Sequence, residues 1–245
     1  MYTVVFHNYH GQHKYWIDFF KKNIPTPYYL FYNIVSDSLH NMHVQPNDLT
    51  ARFAVGNSGN KLVVRQSTNV GRDIGGKLVL MDALLHLNID SEYLLVLHDK
   101  KSPQSVTDPT WGSRILKIAE KSEIEKAVQV FMNDPGVGLV AVKNTVVNEK
   151  PFDDADFISV NASLLKALVD KYQLQSDNYQ FVAGSMFMAR LKPFIDFFST
   201  YRPLEIRKTL ERGNVMDVFT ATQTHSWERM LSWIVSSKGF ALKEI

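Results

Sequence analysis

Four short blocks carry residue types whose spacing suits chemistry. The first is Asn69-Val70-Gly71-Arg72-Asp73-Ile74-Gly75-Gly76. Glycine lets a backbone approach a ligand closely and adopt dihedrals that other residues avoid. A helix starting here offers unpaired N–H groups and a partial positive charge to an anion. Arg72 adds a forked donor that matches phosphate or carboxylate. The block lacks the Gly-Lys-Ser/Thr of a Walker loop and is a poor dinucleotide fingerprint. It reads equally well as a turn, with Asp73 as helix cap and Arg72 in solvent.

The second block, His98-Asp99-Lys100-Lys101-Ser102, follows the most apolar run of the chain. Lys100 and Lys101 can neutralise a diphosphate directly. A metal site here requires adjacent His98 and Asp99 to face one ion, which chain neighbours seldom do. The third block, Phe181 to Arg190, contains Gly184 and Ser185, small enough for a ring-shaped ligand to lie against the backbone. A kinked core strand is the plainer alternative. The fourth is His225-Ser226-Trp227-Glu228-Arg229. On a helix start, Glu228 can face a cleft as a general base, with Arg229 as charge partner or structural ion pair. A first-turn carboxylate favoured by the helix dipole needs no function at all.

These blocks need elements to position them. Strands are expected at Thr3–His7, Tyr28–Val35, Lys61–Arg65, Tyr93–Leu97 and Val137–Val142, where short β-rich or apolar runs are bounded by turn signals. Phe181–Met188 reads as a strand broken at Gly184. Helical spacing predicts helices at Lys14–Lys22, Asp73–Leu87, Ile124–Met132, Ala162–Tyr172, Leu191–Phe198 and Ser226–Ser236, and Asn57-Ser58-Gly59-Asn60 reads as a turn. Strand and helix alternate through residue 142, which predicts an α/β fold with a parallel sheet and crossover helices. Ligands then bind beyond the carboxyl ends of the strands, so the residues after His7, Val35, Arg65 and Leu97 should share one rim. With no linker or repeat, 1–245 reads as one domain: 1–142 as the ligand-binding half and 143–245 as a less regular second half.

Composition narrows the class. Of the 245 residues, 45% are apolar and 21% charged, enough for a buried core. A net charge of +2 without a basic stripe argues against nucleic acid as a partner. With no cysteine, disulfides, thiolate metal sites and cysteine nucleophiles are excluded, which suits a reducing, cytoplasmic setting. The opening residues lack the pattern of a signal peptide, and no run approaches ~20 apolar residues, so membrane contact is expected only at the periphery.

Taken together, the blocks resemble the rhamnan synthesis protein F family, associated with bacterial polysaccharide assembly. The resemblance rests on Asn69 to Gly75, Leu97 to Ser102, Trp111 as the end of a strand, Gly184 to Arg190 and Glu228-Arg229, with His7-Asn8-Tyr9 and Tyr28–Val35 alongside. The chain has Gly76 where that family commonly has proline, and Gly112 where arginine is expected. The order of blocks is also similar to GT-A glycosyltransferases, in which the strand equivalent to Tyr93–Leu97 ends in a metal-holding Asp-x-Asp. Here it ends in His98-Asp99-Lys100.

The resemblance implies a GT-A-like fold and transfer of a sugar, rhamnose by the family's title, from a nucleotide-sugar to a cell-surface or lipid-linked glycan at the inner membrane face. It implies no cofactor and no metal, with Arg72, Lys100, Lys101 and His98 on the donor diphosphate. Asp37, Asn69, Gly71 and Asp73 would hold the nucleotide, and Gly184, Ser185, Trp111 and His225 would line the sugar and acceptor. Glu228 takes the place of the catalytic base of inverting GT-A enzymes. The competing expectation is a non-catalytic nucleotide-sugar or glycan-binding module. A phosphotransferase would need the phosphate loop or clustered metal carboxylates that are lacking.

Overall fold

The computed structural model describes residues 1–56, 59–100, 110–151 and 156–245. The expected Asn57-Ser58 turn lies outside the described residues, as do Lys101 and Ser102. The strands are β1 (Tyr2–Asn8), β2 (Tyr28–Val35), β3 (Lys61–Ser67), β4 (Tyr93–His98), β5 (Val137–Ala141), β6 (Val146–Asn148), β7 (Gln180–Val182), β8 (Phe187–Arg190) and β9 (Ala241–Glu244). The α-helices are α1 (His13–Asn23), α2 (Pro46–Ala54), α3 (Arg72–Leu85), α4 (Trp111–Leu116), α5 (Lys121–Asn133), α6 (Ala162–Tyr172), α7 (Lys192–Thr200), α8 (Pro203–Arg207) and α9 (Gln223–Ser236).

A seven-stranded sheet runs in the order β3-β2-β1-β4-β8-β5-β9. The β1–β2, β1–β4, β2–β3 and β5–β9 pairs are parallel, and β8 alone runs antiparallel between β4 and β5. Alternation along the strands feeds two cores. Val4 and Phe6 pack with Trp16, Ile17 and Phe20 of α1 and with Phe131 of α5. Val5 instead shares a core with Leu78 of α3, Phe194 of α7 and Trp233 of α9. Helices therefore cover both faces, which is why β1, β2 and β4 read as almost unbroken apolar runs.

The chain steps from β1 outward to β2 and β3, then returns across β1 to β4. That reversal opens a crevice at the carboxyl ends of β1 and β4, where an open α/β sheet binds ligands. His7 and His98 are register partners there.

Two expectations are corrected. Phe181–Met188 breaks at Gly184 as expected, but its halves do not share a sheet: β7 pairs with β6 in a separate two-stranded sheet, while β8 joins the main one. Gly184 and Ser185, both with positive φ (80° and 47°), turn the chain between them. Trp111 does not end a strand but opens α4, where the Arg114 guanidinium lies 4.9 Å from the ring. Among the described residues no helix is long and apolar enough to cross a membrane.

Candidate active site

Two connected hollows, of about 430 and 170 Å³, form one cleft at the reversal point. Both are lined by Arg72, Asp73, His98, Lys100 and Met216. The larger adds His7, Tyr9, His10, His40, Asn69, Asp99 and Asn214. The smaller adds Gly184, Ser185, Thr224, His225 and Glu228. Segments following β1, β2, β3 and β4 thus meet at one rim, as the alternating pattern predicts.

Gly71 makes the entry to α3. Its φ is 72°, and a Cβ there would stand 2.2 Å from Leu210 Cδ1. Its N–H donates to the Glu211 carbonyl at 2.7 Å. Arg72 follows with φ 52°, a left-handed conformation that costs a non-glycine residue about 1–2 kcal/mol. That twist carries its guanidinium across the cleft, where Nη1 donates to His225 Nε2 at 3.2 Å. Arginine has no lone pair to offer, so His225 Nε2 is the acceptor, and its Nδ1 meets Thr222 Oγ1 at 2.7 Å. His225 therefore orients Arg72.

Asp73 is not the helix cap. Gly71 holds that position, and the Asp73 carboxylate turns inward, accepting from Lys77 Nζ at 2.7 Å and Ser185 Oγ at 3.0 Å. Burial alone would raise its pKa, but the Lys77 charge and its hydrogen bond hold it well below the usual carboxylate range. Lys77, which the sequence reading missed, is buried and also reaches His98 Nδ1 at 3.1 Å. Asp99 is likewise committed, accepting from the Tyr9 and His10 N–H groups at 2.8 and 2.6 Å. It fixes the turn after β1.

Asn69 lines the cleft, with its N–H on Asp37 Oδ1 at 2.8 Å and its own Oδ1 buried without a hydrogen-bond partner among the described residues. Asp37 is exposed, lines neither hollow, and accepts the Asn69 N–H after β3. Glu228 Oε1 accepts the Gly184 N–H at 2.5 Å, while Oε2 lies 3.9 Å from Arg229. Arg229 is mainly structural: its Nε pairs with buried Glu149 at 3.0 Å. Trp111 packs beside Gly184, 3.5 Å from where a Cβ would stand. Glu211, also missed, anchors α9 by accepting from the Gln223 and Thr224 N–H groups at 2.6 and 2.9 Å. Lys101 is outside the described residues. Among those described, no group of three or more His, Asp or Glu is placed to hold a metal ion.

The two histidines of the crevice are buried, with a consequence for acid stability. Burial pushes His7 from its ordinary 6.5 down to about 4 and holds His98 well below the ordinary range. The unfolded chain therefore takes up protons near pH 6.5 that the folded protein refuses. Stability is full above that pH and falls as pH drops toward 4, at about 1.4 kcal/mol per pH unit for His7 alone, ~3 kcal/mol in all. Denaturant unfolding at a series of pH values should show this loss, and a flat profile between 6.5 and 4 would remove the assignment. Asp73, still charged in the folded protein, adds to the loss only below about pH 5, where the carboxyl of the unfolded chain begins to take up its proton.

No protein-family model matches the chain, and no curated protein sequence matches it either, so the reading of this cleft rests on its own geometry.

Proposed function

We propose that the chain is a GT-A-like glycosyltransferase resembling the rhamnan synthesis protein F family, moving a sugar from a nucleotide-sugar to a glycan or lipid-linked glycan. The observation that carries this reading is the cleft with Arg72 and Lys100 along both hollows and Glu228 at the smaller end. A nucleoside diphosphate leaves with growing negative charge, and fixed cations aimed at it lower the barrier. Arg72, oriented by His225, and Lys100 perform that task. Glu228 accepts the proton of the acceptor hydroxyl as its oxygen bonds to the anomeric carbon and the bond to the diphosphate breaks. Gly184, Ser185 and Trp111 border the place where sugar and acceptor meet.

Asp99 spends its carboxylate on two backbone N–H groups, and His98 receives a lysine ammonium. Both commitments favour cationic side chains over a bound divalent ion as the diphosphate's partner. Transfer measured with a panel of nucleotide-sugars, dTDP-rhamnose included, should therefore persist in excess EDTA. Activity that disappears with EDTA and returns with Mg²⁺ or Mn²⁺ would end the metal-free reading.

One observation favours a second reading, a non-catalytic binding module: Glu228 Oε1 already serves as anchor for the Gly184 turn. The two readings separate on release of nucleoside diphosphate from donor alone, which only the enzyme gives.

A further inference from the structure

Lys77 is a full charge inside the protein, 2% exposed, on a helix face that otherwise packs apolar residues. Its ammonium group has Asp73 Oδ2 at 2.7 Å, Ser185 Oγ at 2.6 Å, the Ser185 carbonyl at 3.0 Å and His98 Nδ1 at 3.1 Å. An unpaired lysine at such a depth would lose its proton, but the Asp73 carboxylate supplies the counter-charge. Four acceptors meet the three ammonium hydrogens, so His98 Nδ1, the longest contact at 3.1 Å, shares one with the Ser185 carbonyl at 3.0 Å, and a proton on Nδ1 would face the ammonium directly.

An ammonium group donates and never accepts. His98 Nδ1 must therefore present its lone pair to Lys77, and in a neutral ring the single proton sits on Nε2. The charged groups around His98 are Lys77 and Asp73 from α3, and Lys100 beyond the end of its own strand, with His7 of β1 beside it. Burial and the Lys77 charge both disfavour an imidazolium there, and only Asp73 favours one. Asp73 Oδ2 lies 3.5 Å from His98 Nδ1, close enough to take over if the lysine were gone.

We propose that Lys77 is a positioning residue of the cleft, acting through His98, which it fixes as the tautomer protonated on Nε2. The ring then offers the cleft an uncharged N–H donor in place of a third cation. Diphosphate charge is left to Arg72 and Lys100, and His98 contributes direction. Its ligand follows from the glycosyltransferase reading, on which this part rests, but the tautomer does not.

The test is long-range ¹H–¹⁵N NMR of the histidine rings of the whole chain, with the His98 signals identified by their loss in His98→Gln. The expected result is a neutral ring protonated on Nε2 that does not titrate between pH 5.5 and 8. A proton on Nδ1, or ordinary titration near ~6.5, would overturn the proposal in the unmodified protein. In Lys77→Met the donor to Nδ1 is gone and Asp73 Oδ2 stands within reach, so the His98 proton should move to Nδ1 and the two ring ¹⁵N shifts should exchange their pattern. A folded Lys77→Met protein with unchanged His98 signals would also overturn it. If that variant fails to fold, the unmodified protein still decides. Neither readout needs sugar transfer, so loss of the glycosyltransferase reading and loss of the lysine's role give different results.

Discussion

Glu228→Gln should reduce sugar transfer by about 10²–10⁴-fold, the usual cost of removing a general base. That range corresponds to ~3–5 kcal/mol on the barrier. The substitution separates the two duties of this side chain. A glutamine oxygen can still accept the Gly184 N–H that Oε1 accepts at 2.5 Å, so the turn should keep its shape. What is lost is only the capacity to take a proton. Donor binding, followed by the rise in melting temperature with nucleotide-sugar, should stay close to that of the parent. Near-normal turnover in this variant would remove Glu228 from the chemistry and leave it as an anchor.

Gly75→Ala and Gly76→Ala should each destabilise the protein by about 3 kcal/mol or more, the upper end for overpacking a filled core. Helix propensity alone predicts the opposite sign, since alanine is favoured over glycine by roughly 1 kcal/mol in a helix. Sterics decide the outcome. A Cβ on Gly75 would stand 1.7 Å from the Val70 carbonyl oxygen, and one on Gly76 would stand 1.7 Å from His7 Nδ1. The first obstacle is backbone. The second is a buried ring that also accepts from Asn33 Nδ2 at 3.1 Å. A chain of this size should lose about 6–12 °C in melting temperature. Gly76→Ala melting at the parent temperature would show that α3 has room to move off β1, and the same result for Gly75→Ala would show that the turn at Val70 can give way.

Much of this scaffold is legible in the sequence. Runs such as Tyr28–Val35 and Tyr93–Leu97 announce strands covered on both faces, and Ala162–Tyr172 shows its period clearly enough that its helix has those bounds. The missed elements are short or weakly apolar. The α2 helix buries only Leu49 and Phe53, α8 has five residues, and β9 alternates between exposed and half-buried positions. The turn at Gly184 was visible as a break, but its separation of two sheets was not, because pairing partners lie far off in sequence. Arg72, His98, Lys100 and Glu228 could be selected by residue type and place. Lys77 could not. Its one sequence signal is the spacing of four from Asp73 on an apolar stretch, while Ser185 stands 108 residues away.

The antiparallel β8 strand has a consequence for biosynthesis. A nascent chain emerging from the ribosome presents β4, then β5, well before Phe187–Arg190 exists to join them. Until then each carries an open edge of unpaired N–H and C=O groups, an invitation to pair with another molecule. Assembly must await a segment about a hundred residues downstream of β4, and such non-local pairing slows folding. Gly184 emerges just ahead of β8 and Glu228 only with α9, so the crevice lacks its carboxylate until α9 has followed β8.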